Sequence, residues 1–216
     1  MSYHKFIKSI FLFCLLGVYC MACKENANDQ EVLMESLINE SPNPLENFEL
    51  IAVECDNVNN LLIEIFIEDQ DVRHTGTRDR EEVDAENLQK FVSIVEKCGF
   101  PSKGELTDYR SKYAVFLVLQ HSSPEWIAYY YKDFENATLS GTIEKDLLAY
   151  LQDRFLMSHN KPQIYGTQLQ NGSLYLLSDP KNVNKRREAM GFKESLKTYL
   201  ERHGLDYDTE ISKYLE

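Results

Sequence analysis

Residues 113–121 have the sequence YAVFLVLQH, and whether this run is a strand or a helix decides the fold. Its seven consecutive non-polar or aromatic residues would suit a buried strand, because periodicity alone does not separate a short apolar strand from a buried helix. The run belongs, however, to a longer segment, Thr107 to Gln120, which exceeds the usual strand length and has helical patterns on both sides. We therefore predict a central buried helix.

Two helices are predicted before this central segment. Apolar residues recur at helical spacing from Leu45 to Arg73, which indicates a long amphipathic helix. A second helix is predicted from Asp84, as its N-cap, to Cys98, because Gly99 and Pro101 follow as stop signals.

The segments after the central helix predict further helices and one hairpin. Ser123-Pro124 is a typical helix start, so a helix is predicted to Leu139. The remaining predicted helices span Thr142 to Ser158, Pro180 to Met190 and Lys193 to His203. Between them, Asn171-Gly172 separates Gln163 to Gln170 from Ser173 to Leu177, which predicts a β-hairpin.

These patterns predict a mainly α fold, with six to eight helices and one small β-hairpin in a single domain. The length of 216 residues, with 43% hydrophobic and 27% charged residues, suits one folded domain. We divide the chain into a signal peptide at 1–22, a lipid-anchored tether at 23–43 and a helical domain at 44–216. The tether is predicted to contain a short helix from Glu31 to Asn39.

The N-terminal segment predicts export. Lys5 and Lys8 precede the uncharged, mostly apolar stretch Ser9 to Ala22, which is too short to span a bilayer. Tyr19-Cys20-Met21-Ala22-Cys23 resembles a bacterial lipobox, in which the last cysteine carries the lipid. We therefore predict a membrane-anchored lipoprotein, periplasmic or surface-facing, with its lipid on Cys23. Cleavage without lipidation and an uncleaved anchor are the alternatives.

The charge balance argues against nucleic-acid partners. The formal net charge is −12, and loss of residues 1–22 removes two lysines and no acid, which leaves −14. Such a surface repels phosphate backbones. The one basic cluster, Lys181, Lys185, Arg186 and Arg187, is predicted to be a solvated helix face, with docking onto an acidic helix or an anion site as alternatives.

Two cysteines, Cys55 and Cys98, remain after the predicted signal and lipid positions. They lie 43 residues apart, in a compartment where a disulfide persists. Free cysteine is nevertheless among the most buried residue types, so we expect two unbridged core residues.

Polar residues that continue an apolar stripe are the first candidates for a site, because a buried polar group requires a partner. Asp69 and Arg73 continue the stripe of the first long helix, Gln120 and His121 that of the central helix, and Asp153 and Arg154 that of a later helix. The predicted strand adds Gln163, Tyr165, Thr167 and Gln168 around Gly166.

Several of these residues belong to short motifs that carry a resemblance. The motifs are Asp69-Gln70-x-x-Arg73, Gly99-x-Pro101, Gln120-His121, Asp153-Arg154, Pro162-Gln163-x-Tyr165-Gly166-Thr167-Gln168 and Arg186-Arg187-x-x-x-Gly191. In this order they resemble the bacterial domain-of-unknown-function family numbered 6624, over about residues 45–200. The most specific part is Tyr-Gly-Thr-Gln at 165–168. Phe100 and Phe192 depart from the Trp and Leu of the family.

The resemblance implies a mostly helical domain in secreted or lipid-anchored proteins, and it brings no established activity. Together with the stripes, it selects candidate residues for one polar site. They are Asp69, Gln70, Arg73, Gln120, His121, Asp153, Arg154, Gln163, Tyr165, Thr167 and Gln168. We predict that they converge although they come from three helices and a strand.

Such a site supports general-base chemistry. His121 is the candidate base, oriented by Asp69 or Asp153, and Arg73 or Arg154 would hold an anionic group. A serine or cysteine nucleophile is not evident, since no G-x-S-x-G occurs. We predict no cofactor and no metal site, because zinc and nucleotide motifs do not occur, with Mg²⁺ or Ca²⁺ on Asp69 and Asp153 as an alternative.

Three functions fit these residues. The first is a lipid-anchored envelope domain that binds a small polar ligand, a peptide or an envelope protein in a polar cleft. The second is an envelope hydrolase or transferase that uses His121 with Asp69 or Asp153. The third is a structural accessory lipoprotein, in which the same residues form a buried network. A partly exposed His121 beside a carboxylate favours the enzyme, and a buried His121 in a cleft of Gln, Tyr and Arg favours binding.

Overall fold

The protein is mainly α-helical, as the sequence predicts. The structure, a computed structural model, describes residues 29–214. That range contains nine α-helices and one two-stranded antiparallel sheet, so the mainly α class with a β-hairpin is confirmed. The ninth helix, near the C-terminus, was not predicted. No helix within residues 29–214 has both the length and the hydrophobicity needed to cross a bilayer.

The elements follow one another in this order: α1 (29–40), α2 (Val58–Thr75), α3 (Arg80–Cys98), α4 (Tyr109–His121), α5 (Pro124–Leu139), α6 (Lys145–Ser158), β1 (Leu169–Gln170), β2 (Ser173–Leu174), α7 (Val183–Ala189), α8 (Leu196–Arg202) and α9 (Tyr207–Ser212). Short 3₁₀ turns at Cys55–Asn57 and Pro180–Asn182 precede α2 and α7.

The chain divides between Ser41 and Pro42 into two compact units. In the first, the described residues form α1, which contains the short helix predicted at 31–39. The predicted signal peptide and Cys23 lie outside the described residues. All elements from α2 onward belong to the second unit.

Helices α2, α3 and α4 form the half of the second unit that carries the first candidate residues. Asn59 on α2 accepts a hydrogen bond from Ser111 on α4 (2.8 Å), and Asp69 contacts His121 ten residues further along each helix. The two helices therefore run in the same direction. Helix α3 runs in the opposite direction, because Asp84 pairs with Arg73. The central run at 113–121 is helical, as predicted, and residues 114–119 are buried.

The predicted helix from Leu45 to Arg73 is wrong in its first part. Residues 48–54 are extended, and α2 begins only at Val58. Side chains of α3 bind the backbone of this segment: Gln89 donates to the Glu49 carbonyl, Ser93 accepts from the Ile51 N–H and Lys97 donates to the Val53 carbonyl. These bonds satisfy backbone groups that a helix would otherwise pair internally.

The expectation that Cys55 and Cys98 are unbridged is also wrong. They form a disulfide that joins the turn before α2 to the last residue of α3. The expectation rested on the general burial of free cysteines, which contains no information about the distance between these two. Because residues 48–54 run along α3, the Cα atoms of Cys55 and Cys98 lie 5.4 Å apart, well within the range for a disulfide.

Asp84 does not cap α3. The cap is Asp79, whose side chain accepts the N–H of Glu82 (3.0 Å), so the helix begins five residues earlier than predicted. This shift places Asp84 within the helix, where its side chain is available to Arg73.

The C-terminal part packs around its own apolar cluster, which consists of Leu174, Leu177, Val183, Leu196, Tyr199 and Leu200. The hairpin at Asn171-Gly172 is confirmed, with Leu169 opposite Leu174. The predicted first strand is shortened, because residues 163–168 form a bent loop instead. We call residues 163–168 the clamped loop, since both faces of its backbone are bound by side chains.

Candidate functional site

The candidate residues fall into two hydrogen-bonded networks, and their convergence on a single site stays a prediction. One network, the histidine site, consists of Asp69, Gln70, Arg73, Asp84 and His121. The other joins Asp153 to the clamped loop. Among residues 29–214, no hydrogen bond or ion pair connects the two networks.

Asp69 is the centre of the histidine site. It is only 2% exposed, and both carboxylate oxygens are occupied. Oδ1 accepts from His121 Nδ1 (2.9 Å) and forms an ion pair with Arg73 (3.0 Å), and Oδ2 accepts from the amide of Gln70 (2.8 Å). A buried carboxylate held by two donors and an ion pair has a fixed position, so it also fixes the imidazole.

His121 ends α4 and keeps 22% of its side chain exposed. Because an ionised carboxylate only accepts hydrogen bonds, the bond to Asp69 assigns the proton of the neutral ring to Nδ1. The other nitrogen, Nε2, then carries a lone pair and binds no other described residue. This is the arrangement of a general base whose orientation is set by an acid.

Arg73 joins the two acids of the site. It donates to both oxygens of Asp84 (2.8 and 3.1 Å) and to the backbone carbonyl of Asp69 (3.2 Å), and it forms an ion pair with the Asp69 carboxylate. The predicted role of Arg73 in holding an anionic ligand is therefore not supported, since its guanidinium is already occupied by two carboxylates.

The same residues include a possible ligand set for a metal ion. Ligand atoms of Asp69, Asp84 and His121 all lie within 4.8 Å of one another. A metal ion there would compete with Arg73 for the carboxylates of Asp69 and Asp84. It would also compete with the proton for Nδ1 of His121. The predicted alternative, Mg²⁺ or Ca²⁺ shared by Asp69 and Asp153, is not supported, because these two acids belong to different networks.

Asp153 lies on α6 and is fully buried. Its carboxylate accepts four donors of the clamped loop: the N–H groups of Ile164 (2.6 Å), Tyr165 (3.1 Å) and Thr167 (3.0 Å), and the Thr167 hydroxyl (2.9 Å). Burial raises the pKa of Asp153 to about 6, and these hydrogen bonds oppose the shift.

The opposite face of the clamped loop is bound by cations and a phenol. Arg186 donates to the Ile164 carbonyl (2.9 Å), Arg187 to the Tyr165 carbonyl (3.0 Å) and Tyr199 to the Thr167 carbonyl (2.6 Å). Arg187 is only 1% exposed, and its guanidinium lies 4.2 Å from the centroid of the Phe192 ring. Of the basic cluster, therefore, Arg186 and Arg187 hold the fold, while Lys181 and Lys185 are exposed.

Gln163 and Gln168 close the ends of the clamped loop. Gln163 accepts from the Gln168 N–H (2.8 Å) and donates to the Gln168 carbonyl (3.0 Å). Gly166 has φ +70°, and a Cβ atom there would lie 2.7 Å from Leu196. The motif at 162–168 thus has a structural explanation, because its side chains of Gln163, Thr167 and Gln168 bind the protein itself.

Four predicted residues, Asp69, Gln70, Arg73 and His121, do lie together, whereas Asp153 does not orient His121. Gln120 and Arg154 belong to neither network. The side-chain oxygen of Gln120 is buried and has no hydrogen-bond partner, and the same holds for both amide atoms of Asn87. Buried polar atoms without partners are uncommon and point to a missing polar neighbour.

Sequence reasoning missed two members of these networks. Asp84 was interpreted as a helix cap, although Asp79-x-x-Glu82 was the better cap signal in the same stretch. Tyr199 gave no signal, because its hydroxyl is bound to a carbonyl 32 residues away.

Comparison with known protein families, with curated proteins and with solved structures gives no match to this chain. The resemblance to family 6624 stays a prediction.

Proposed function

We propose that the protein is an exported, lipid-anchored envelope protein whose helical domain works as a hydrolase or transferase. His121 is the general base and Asp69 orients it. One observation carries the proposal: a partly exposed imidazole donates through Nδ1 to a buried, fixed carboxylate, which leaves Nε2 without a hydrogen bond to any other described residue.

The rival function, ligand binding in a cleft of Gln, Tyr and Arg, has less support. It required a buried His121, and His121 is 22% exposed. It also required free polar groups on the loop, and Gln163, Thr167 and Gln168 are buried and bonded within the fold. The structural function fits the Asp153 network, and the histidine site is a separate feature.

In the proposed reaction, Nε2 of His121 takes a proton from water or from a substrate hydroxyl as that oxygen attacks an electrophilic carbon or phosphorus. The imidazolium that forms is stabilised by Asp69 and then returns the proton to the leaving group. A covalent cysteine intermediate is not part of the proposal, because Cys98 is in a disulfide with Cys55.

His121→Gln and Asp69→Asn test the enzyme proposal in a turnover screen of esters, amides, phosphoesters and glycosides. We expect the unaltered protein to turn over at least one class and both variants to lose at least about a hundredfold in rate, the lower end for general-base catalysis. His203→Gln, which changes an exposed histidine outside the site, is the matched control and should keep full activity.

Two results would contradict the enzyme proposal. One is an unchanged rate in His121→Gln. The other is a compound that stabilises the unaltered protein and His121→Gln equally in a thermal-shift assay and is never turned over by either, which would identify a binding protein.

Cys23→Ala tests the location. We expect the change to release the domain to the soluble fraction or to leave an unprocessed precursor, because the lipid is proposed to be attached to this sulfur. The measurement is fractionation with an immunoblot, and Cys14→Ala is the control that should behave like the unaltered protein. Unchanged membrane association and processing in Cys23→Ala would contradict the lipid anchor.

A further inference from the structure

Arg154 on α6 is a half-buried arginine that forms neither a hydrogen bond nor an ion pair with any other described residue. This is unusual in a chain with 35 acidic residues. Ion pairs to carboxylates are formed by Arg73, Arg78, Arg110, Arg186 and Arg202. A guanidinium that is partly removed from water and left without a partner points to an external anion.

The register of α4 and α6 places Arg154 at the level of the histidine site. The rings of Phe116 and Tyr150 lie 6.1 Å apart.

This contact places Phe116 opposite Tyr150, and the direction of α6 follows from its packing on α5. One further turn along each helix, Gln120 and Arg154 therefore reach the same level. His121 is the next residue on α4.

The packing of α5 on α6 gives the direction of α6. Gln152 donates to the Tyr131 hydroxyl (2.6 Å). A short turn connects α5 to α6, and its Thr142 and Ile143 N–H groups donate to the Ala137 carbonyl (2.8 and 3.2 Å). Helices α5 and α6 are therefore antiparallel, and the end of α6 lies beside the start of α5, which begins three residues after His121. Helix α6 thus runs in the same direction as α4.

We propose that Arg154 is the anion-binding residue of the histidine site and that the substrate carries a carboxylate. This rests on the proposed function, because it assigns a substrate class to the same site. Arg73 is not available for the task, since Asp69 and Asp84 occupy it. The side-chain oxygen of Gln120, which is buried and has no hydrogen-bond partner, lies at the same level.

The choice of a carboxylate over a phosphate follows from charge. Asp69, Asp84 and Arg73 sum to −1 beside His121, and the exported chain carries −14. A doubly charged phosphate is repelled by these charges about twice as strongly as a singly charged carboxylate, whereas both fit the planar fork of one guanidinium.

Arg154→Gln tests this assignment, with Arg80→Gln as the matched control on an exposed arginine. The probes are acetate and inorganic phosphate, with chloride at equal ionic strength as the blank. The readout is the imidazole resonance of His121 in the full-length protein, identified by its loss in His121→Gln.

We expect acetate to shift the His121 resonance in a saturable way, more tightly than phosphate does. In Arg154→Gln the acetate Kd should rise at least about tenfold, the effect of losing a charged hydrogen bond. Arg80→Gln should bind acetate like the unaltered protein. All three proteins should share one urea midpoint, because Arg154 stabilises no other described group.

An equal acetate Kd in Arg154→Gln, or a response that chloride reproduces, would overturn the assignment of Arg154. Tighter binding of phosphate would overturn the carboxylate. Failure of the enzyme proposal can be distinguished from failure of the anion site, because the first is measured by turnover and the second by acetate binding. If His121→Gln keeps full turnover while Arg154→Gln loses acetate binding, the anion site is supported and the general-base assignment is wrong.

Discussion

Replacing Cys55 and Cys98 together with serine is expected to lower the free energy of unfolding by about 4 kcal/mol. The disulfide closes a loop across a sequence separation of 43, and loop-closure entropy of the unfolded chain predicts a loss of this size. The loop contains α2 and most of α3, so it also contains Asp69, Arg73 and Asp84. Urea unfolding at neutral pH measures the change.

The reduced, unaltered protein is the matched comparison for the serine variant. It should lose nearly the same free energy of unfolding, because both lack the same cross-link. Alkylation of the denatured chain checks the bond itself, and Cys55 and Cys98 should gain mass only after reduction. Modification of both without reduction would contradict the disulfide.

The sequence predicted the helices that carry their own start and stop signals. The run at 113–121 was assigned correctly because its length and its neighbours outweighed its β-like composition. Helix α5 was predicted to the residue, since Ser123-Pro124 opens it and Leu139 precedes Ser140 and Gly141. Asn171-Gly172 fixed the turn of the hairpin for the same local reason.

Elements that depend on distant partners were not predictable in this way. Residues 48–54 have helical spacing, yet side chains of α3, about 40 residues away, bind their backbone in an extended form. The disulfide follows from that extended path. A pattern within one segment contains no information about such a partner.

The candidate site shows the same division. Apolar stripes correctly predicted that Asp69 and His121 point inward, and their bond is the result. Which acid meets which base depends on the register between helices, so Asp153 was assigned to His121 when its partners are backbone N–H groups. The motif at 162–168 was predicted as a ligand site because backbone recognition leaves no distinct signal in the side-chain pattern.

Asp153→Ala is expected to lower the free energy of unfolding by about 3–5 kcal/mol, as for a buried charged group removed from its partners. The change leaves three N–H groups and the Thr167 hydroxyl buried without an acceptor. Each such donor costs about 1–3 kcal/mol, and partial relaxation of the loop reduces the sum. The clamped loop would then be bound on one face only, by Arg186, Arg187 and Tyr199.

Asp153→Asn separates the charge from the hydrogen bonds. The amide keeps one acceptor oxygen and puts an NH₂ group opposite the remaining donors. We therefore expect the free energy of unfolding to fall less than in Asp153→Ala. Asp71→Asn makes the same chemical change at an exposed position of α2 and should stay within about 0.5 kcal/mol of the unaltered protein.

The stability difference between the unaltered protein and Asp153→Ala should also depend on pH. Burial raises the pKa of Asp153 to about 6, above the ordinary value of 3.8, so the folded state holds this proton more tightly than the unfolded chain does. The stabilisation from that proton is complete below about pH 4 and is lost as the pH rises through about 6. The difference in free energy of unfolding between the two proteins should therefore narrow from pH 4 to pH 6 and then stay constant.

Two outcomes would contradict these expectations. A difference that widens from pH 4 to pH 6 would mean that the four hydrogen bonds affect the pKa of Asp153 more than burial does. An Asp153→Ala variant as stable as Asp71→Asn would contradict the role of Asp153 in holding the clamped loop.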